Sequence, residues 1–382
     1  MSNENVGRNL LEDRIDFCAI FNVRNCNPNG DPLGGNQPRV NSDQIGEITH
    51  ECIRRKIRDR LMEMGRPIFI QSHAKRIDGC TSLEDRLDKM IKKCFTDPAL
   101  KQLLAENLPA RTRDSVMAKL NDPAKIASPG TYSDFGMDEL YDMSCILWDD
   151  VRMFGSLYAY ADESQDANDE ADGESESEAP KAENAPKGKG KSARKKGGKN
   201  GTKSNSKGIS VGVTGAVSTQ GAFSVCPVII DTIQISKSVN GTDNPENPDK
   251  KNSDTLGLRY RVGHGLYKMF GHIYPLLAQK NGVTVQDMEN LKAVLPILFV
   301  NDASTSRPIG SMEVVKVFWW VHPSKNGNAN GHGGIRLGNC SPRRIEESVK
   351  ITPKVDTPSD VKDYDIIVED IPDVVRQDID GF

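Results

Sequence analysis

The residues best suited to chemistry form two neighbouring groups. One is a turn-rich stretch, Asn27-Pro28-Asn29-Gly30-Asp31-Pro32 with Gly34, Gly35 and Asn36 behind it, and the other is a cationic run, Arg54, Arg55, Lys56 and Arg58. A stretch so rich in Gly, Asn and Asp packs poorly. It is expected to offer free backbone N–H groups and the amides of Asn27 and Asn29, with Gly30 between, near the start of a following helix, a place suited to phosphate or sugar. Helical spacing over 49–64 puts Ile53, Ile57, Leu61 and Met64 in one stripe, with Arg54, Arg55 and Arg58 on a flank and the back face. One side would enter the core and the other would stay cationic. The alternative is an ordinary solvated face balanced by Glu51 and Asp59.

Other chemistry finds less support. Metal-dependent phosphate cleavage needs a carboxylate at the scissile phosphate, usually with a second ligand. Asp31 lies in a suitable loop with Asp43 as a possible neighbour in space, yet Asp31 between Gly30 and Pro32 also reads as a turn residue. The six histidines form no Ser or Cys motif, and Gly263-His264-Gly265 lacks Walker or Rossmann spacing. Eight cysteines occur without a CxxC pair or a His-x(3–5)-His partner, so neither a zinc site nor a disulfide framework is indicated. No catalytic residue, metal or cofactor is expected.

These groups need elements to hold them. The apolar run 15–23, bounded by Asn, Pro and Gly, reads as a central strand buried on both faces. Residues 66–145 read mostly helical, broken at Pro109, Pro123 and Pro129-Gly130, as an inserted lobe. The chain returns to the core at 144–155, where Arg152 could reach RNA or pair with Asp149 or Asp150. Extended runs 208–217 and 225–230 flank Ser218-Thr219-Gln220-Gly221, where glycine permits close approach to a ligand or marks a bulge. Alternating runs at 229–235 and 256–262 read as a long hairpin. Its Ile and Leu residues are expected on one face, with Gln234, Ser236, Ser238, Arg259 and Arg261 on the other and Lys237 nearby. Helices are expected at 264–276 and 284–299, the second bent or ended near Pro296. The run 312–321 reads as a buried strand. Its Trp319 and Trp320 could stack bases, but apolar residues on both faces favour core packing. Extended runs 348–355 and 364–368 read as an attached edge pair.

At 382 residues and 36% hydrophobic content the chain can build a sizeable core. Its formal charge of −4 is not that of a globally basic nucleic-acid binder, so binding would use a local patch. Charge is segregated: nine acids lie between Asp162 and Glu178, and ten Lys or Arg between Lys181 and Lys207. The segment 161–208 is low-complexity, lacks large apolar residues, and is expected to be disordered, either solvated or loosely attached to phosphates. No apolar stretch approaches the roughly 18 residues of a membrane span, and the N-terminus lacks a signal pattern, which points to the cytoplasm.

The order of residues 27–32, then Gly35-Asn36-Gln37-Pro38-Arg39, then 52–58 resembles the backbone subunit of the subtype I-C CRISPR surveillance complex (Cascade). Further stretches match at 150–155, 215–218 running to 222–227, 236–241, 261–267, and 301–307 through 310–314. The resemblance covers most of the chain; 161–208 departs from it. It implies an α+β fold with a modified RNA-recognition-motif (ferredoxin-like) core, a helical insertion and a protruding β-hairpin, the thumb. The segments would be 1–60, first half of the core; 61–145, helical insertion; 146–160, return; 161–208, linker; 209–345, second half with the hairpin at about 229–262; and 346–382, an acidic edge segment. The implied function is non-enzymatic coating of crRNA by copies joined head to tail. Implied partners are a capping or processing subunit, a large subunit, a small subunit and, through the guide, target DNA, with no membrane. The candidate RNA contacts are Asn27, Asn29, Gly30, Arg39, Arg54, Arg55, Lys56, Arg58, Arg152, Ser218, Gln220, Lys237, Arg259 and Arg261. Related backbone subunits in other CRISPR types cut target RNA with an acid in the loop after the first strand, which makes a metal-dependent endoribonuclease of the same fold using Asp31 one alternative. A scaffold whose RNA is incidental is another.

Overall fold

The structure is a computed structural model that describes residues 9–160, 209–236, 256–323 and 338–382. Strand β1 (Arg14–Cys26) leads into a small hairpin, β2 (Gly30–Asp31) and β3 (Gln37–Pro38), then β4 (Ile45–Ile48) and helix α1 (His50–Glu63). A helical lobe follows: α2 (Leu83–Thr96), α3 (Pro98–Asn107), α4 (Ala110–Leu120), α5 (Pro123–Ala127) and α6 (Met137–Leu147). Next come α7 (Asp149–Phe154) and β5 (Gly155–Tyr160), then β6 (Ile209–Thr214), β7 (Val217–Thr219), β8 (Ala222–Pro227), β9 (Ile230–Ser236) and the long β10 (Leu256–Ile273). The chain finishes with α8 (Pro275–Asn281), α9 (Val285–Val294), β11 (Met312–His322), α10 (Pro342–Ser348), β12 (Val349–Pro353), β13 (Tyr364–Val368) and β14 (Val375–Asp380).

The central sheet runs β14-β11-β1-β10-β8-β4, with β7 and β9 also paired to β10. Taken in chain order, β1, α1, β8, β10, α9 and β11 form a βαββαβ unit whose strands lie side by side as β11-β1-β10-β8, each neighbouring pair antiparallel. That is the ferredoxin-like arrangement within an α+β fold. β1 is central because both its edges and both its faces are used. Phe17, Ala19, Phe21 and Val23 pack in one core with Ile53, Ile57 and Leu61 of α1 and Met288, Leu291 and Val294 of α9. Cys18 and Ile20 point the other way, into a core with Leu266, Phe270 and Phe318 that Ile345, Val349 and Tyr364 complete. Fully burying each such large apolar side chain contributes roughly 1.5–3 kcal/mol. Trp319 and Trp320 enter these two opposite cores, each 1% exposed, so neither is a stacking platform.

The helical lobe has a core of its own, including Leu87, Phe95, Leu104, Val116 and Met143, and it extends through Phe69 and Trp148 to Tyr158 of β5 and Val211 and Val213 of β6. Asp97 and Asp122 cap α3 and α5, with Pro98 and Pro123 in their first turns, so these prolines start helices.

Three expectations are corrected. Residues 264–273 continue β10 rather than forming a helix, because β1 pairs one edge from Val262 to Ile273 while β7 and β8 pair the other. Gly271 is the cross-strand partner of Phe17, and a side chain there would overlap the Phe17 ring, which lies over it. Met64 leaves the apolar stripe: α1 ends there and it is 46% exposed. The β9–β10 hairpin forms, but its register sets Leu258 opposite Gln234, Tyr260 opposite Thr232, and Ile233 opposite Arg259. Cross-strand partners share a face, so each face mixes apolar and polar residues. Alternation fixes the faces of each strand alone; the pairing between strands is a separate choice. Residues 161–208 and 237–255, including Lys237 and Ser238, lie outside the described residues. β12 and β13 pair with each other as expected, while β14 joins the sheet at the β11 edge, unheralded by its polar sequence.

At one end of β1 the fully buried Asp16 binds residues of three strands. Arg14 Nη2 lies 2.8 Å from Oδ2, His322 Nε2 2.7 Å from Oδ2, and His272 Nδ1 hydrogen-bonds Oδ1. The C-terminal segment is tied to the same cluster: Arg14 donates to the Cys340 carbonyl at 2.8 Å, and the Asn339 N–H donates to His322 Nδ1 at 3.0 Å. Burial alone would raise the Asp16 carboxyl, but hydrogen bonds from His272 and His322 and the charge of Arg14 outweigh it and hold it well below the usual carboxylate range. A depressed folded-state value contributes stability above the unfolded value, and that contribution is lost as pH falls through it. Asp16→Ala is therefore expected to cost about 3–5 kcal/mol near neutral pH in urea melts. The gap from wild type should shrink below about pH 4, and a gap independent of pH would contradict this account of Asp16.

Candidate nucleic-acid interface

Helix α1 begins at Thr49, whose side chain accepts from the Cys52 N–H, and its apolar stripe faces the sheet. Its cations then divide by position. Lys56 is 1% exposed; its ammonium pairs with the Asp302 carboxylate and lies 5.4 Å from the centre of the Phe299 ring. Burial pulls that ammonium below the usual lysine range. Lys56 is thus a core ion pair and is withdrawn as an RNA contact. Asp302 also faces Arg307 Nε at 3.2 Å and Arg55 Nη2 at 3.6 Å, so the 301–307 motif is a carboxylate hub bracing α1. Arg152 is likewise withdrawn. It is 4% exposed, bound by Asp287 at 2.9 and 2.7 Å and by Asp149 at 2.7 Å, and it joins α7 to α9.

Arg54, Arg55 and Arg58 behave differently. All three line a groove of about 690 Å³, together with Gln71, Ser72, Phe154, Gly155, Ser156 and Leu157, and with residues 212–214 of β6. Arg58 Nε donates to Asp150 Oδ2 at 2.9 Å; the same carboxylate accepts the Phe69 N–H at 2.7 Å and the Ile70 N–H at 3.0 Å. The Arg54 and Arg58 guanidiniums lie 5.9 and 5.3 Å from the centre of the Phe154 ring. Arg55 is 36% exposed and its Nη1 meets Asp59 at 2.8 Å. Glu51 also lines the groove and pairs with His50 at 2.8 Å. The result is a cationic wall whose arginines are anchored on one side, leaving further guanidinium donors for phosphate.

Arg54 Nε donates to Thr219 Oγ1 at 2.9 Å, which brings the Ser218–Gln220 segment to this helix. Ser218 is half-buried; Gln220 is exposed and donates to Glu346 Oε1 at 2.6 Å. The turn-rich loop departs from expectation, because its polar groups are largely spent within the fold. Asn27 is buried, with its N–H donating to the Ser306 carbonyl at 2.9 Å and its Nδ2 to the Asn36 carbonyl at 2.7 Å. Asn29 Oδ1 accepts the Thr49 N–H at 2.8 Å, fixing the start of α1. The Asp31 carbonyl accepts from Gly34 and Asn36, and a side chain at Gly30 would overlap the Asn36 amide. The loop braces α1 rather than presenting a row of free N–H groups. Arg39 is 33% exposed and pairs with Asp31 at 3.3 Å; the same Asp31 oxygen accepts the Leu33 N–H at 3.2 Å. Arg261 faces Asp231 at 3.2 Å on the hairpin, and Arg259 sits opposite Ile233. Among the described residues, no hydrogen bond or ion pair joins these hairpin residues to the α1 arginines.

Sequence patterns did not announce the partners Asp150, Thr219 and Asp302, since nothing in local periodicity links positions so far apart in the chain. Among the described residues there is no group of three or more His, Cys, Asp or Glu arranged to hold a metal ion, and no helix long and apolar enough to cross a membrane.

Comparison with known proteins adds an independent observation. The family model described as CRISPR-associated protein Cas7 matches residues 13–174 and 197–369. A curated relative from Haloferax volcanii, named CRISPR-associated protein Cas7, is 30% identical over 102 residues, which cover 23% of this chain and 29% of that relative. Two solved structures are similar at low identity. A chain of a CRISPR RNA-guided surveillance complex, pre-nicking, is 12% identical with a TM-score of 0.38, covering 82% of this chain and 79% of that one. A chain of a CRISPR RNA-guided surveillance complex is 11% identical with a TM-score of 0.32, covering 82% and 77%.

The buried pairing of Lys56 can be tested by stability alone. Asp302→Ala leaves an unpaired ammonium in the core and is expected to cost about 3–5 kcal/mol in urea melts. Adding Lys56→Met to that variant should recover much of the loss. An Asp302→Ala protein as stable as wild type would show that Lys56 is not held as described.

Proposed function

The chain belongs to the CRISPR-associated Cas7 family, and from that membership together with the α1 groove we propose that it binds guide RNA as a backbone subunit of a CRISPR surveillance complex. The observation that carries the reading is the convergence of Arg54, Arg55 and Arg58 on one groove beside the Phe154 ring. Guanidinium donors hold phosphates whatever the sequence, so the same protein can coat any guide. The motif order from residue 27 to 314 supports subtype I-C within the family. Copies join head to tail through a heterologous contact that need not close, and many weak grips along one RNA add through avidity. A capping or processing subunit, a large subunit and a small subunit complete the assembly, which works in the cytoplasm and presents the guide to target DNA.

The subunit holds RNA without cutting it. Asp31 in this reading is a turn residue, accepting the Leu33 N–H and facing Arg39. Gln220 and Ser218 supply polar contacts at the Arg54 end of the groove, while Arg259 and Arg261, with Lys237 beyond the described residues, act on the hairpin.

Arg54→Gln with Arg55→Gln, expressed with a matching CRISPR transcript and its processing partner, should yield particles that lose most RNA and mass, with melting lowered only modestly because Lys75 still pairs with Asp59 and Arg307 with Asp302. Arg58 is left intact because it satisfies the buried Asp150. With alanine in place of each arginine, the dependence of binding on salt should flatten by about 0.7 in log–log slope per lost phosphate contact. Variants that retain full-size, RNA-filled particles would place the grip elsewhere.

A further inference from the structure

The groove assigned to RNA contains two side-chain hydroxyls that the described residues leave unsatisfied. Ser72 Oγ and Ser156 Oγ are shielded from solvent, and neither has a hydrogen-bond partner among the described residues. Both residues line the groove with Arg54, Arg55 and Arg58. A buried hydroxyl without a partner is unfavourable, and two of them bordering one groove call for a ligand group that can donate and accept. The arginines cannot supply this, since guanidinium only donates and the phosphates it holds are common to RNA and DNA.

We propose that Ser72 and Ser156 read the ribose 2′-hydroxyl of the strand held by Arg54, Arg55 and Arg58, so that this groove selects RNA over DNA. The inference rests on the reading of the groove as an RNA site and adds the basis of its sugar specificity. A 2′-hydroxyl is donor and acceptor at once, which complements a serine hydroxyl whose proton can rotate to either role. The two serines are set in fixed relation to the phosphate grip. Asp150 binds Arg58 and also the Phe69 and Ile70 N–H groups, two residues before Ser72. Ser156 follows two residues after Phe154, against which Arg54 and Arg58 lie. A serine hydroxyl has three staggered positions about its one side-chain bond, so no hydrogen bond to the described residues holds either Oγ in its shielded position. Gln71, also in the lining, is already engaged: its Nε2 donates to the Ile68 carbonyl at 2.8 Å and its Oε1 accepts the Ile77 N–H at 3.4 Å.

The test measures binding of the full chain to three short oligonucleotides of one sequence: single-stranded RNA, the matching DNA, and 2′-fluoro RNA, which keeps an RNA-like sugar pucker but loses the hydroxyl proton. Wild type should prefer RNA over both others by about tenfold, the scale of two hydrogen bonds. In Ser72→Ala with Ser156→Ala, RNA affinity should fall to the DNA level while DNA affinity stays as in wild type. Melting of that variant should be no lower than wild type, because alanine removes an unmet hydroxyl. Full RNA preference in the double variant, or wild-type affinity for 2′-fluoro RNA equal to that for RNA, would overturn the hydroxyl reading and leave the phosphate site standing. Failure of folded wild type to bind all three would overturn the RNA site itself and this inference with it.

Discussion

Laying a strongly basic helix on an apolar sheet is the constraint on which the rest of this structure depends. Helix α1 carries Arg54, Arg55, Lys56, Arg58 and Arg60 in fourteen residues, while Ile53, Ile57 and Leu61 must be buried against β1. A charge drawn toward the core needs a partner, or its desolvation exceeds what packing returns. The chain brings carboxylates from distant segments: Asp302 from the stretch before β11 for Lys56, and Asp150 from α7 for Arg58. Asp59 serves Arg55 from within the helix, and Glu63 serves Arg60. The positions of α7 and of residues 301–307 thus follow from the helix they neutralise. What remains outward, chiefly Arg54 and Arg55 with part of Arg58, is the charge available to a ligand.

Covering both faces of the central sheet limits how any nucleic acid could be held. α1 and α9 occupy one face, and α10 with β12 and β13 occupies the other, fastened at the Asp16 cluster. Strand aromatics such as Trp319 and Trp320 are consequently committed to packing. A grip that does not use them works through phosphate and sugar, as the proposed coating of any guide requires.

Much of this was legible in the sequence where local pattern and tertiary environment agree. β1 showed itself by its apolar run, α1 by its stripe and its position after the loop, and β11 by a run apolar on both faces. The helix expected at 264–276 failed because spacing alone cannot show that β10 has partners on both edges. The hairpin faces failed because alternation specifies each strand and not the register between them. Lys56 looks like any other surface cation in sequence, and only Asp302, more than a hundred positions away, reveals it as a buried ion pair. For Arg152 the pairing with Asp149 was legible from the neighbouring acid, whereas the second partner, Asp287, lies more than a hundred positions away. The loop amides look free for the same reason, since the Asn27 acceptors lie at Asn36 and Ser306 and the donor to Asn29 is the Thr49 N–H at the start of α1.

In the proposed function RNA lies along α1 and the antiparallel pair β5–β6, and not on the far face of the sheet. Photo-crosslinking of bound guide RNA to the assembled protein, with the attached peptides identified by mass spectrometry, tests it most directly. Crosslinks are expected in 51–58, 69–72, 154–157 and 212–220. Crosslinks concentrated instead in α10, β12 and β13 would contradict it.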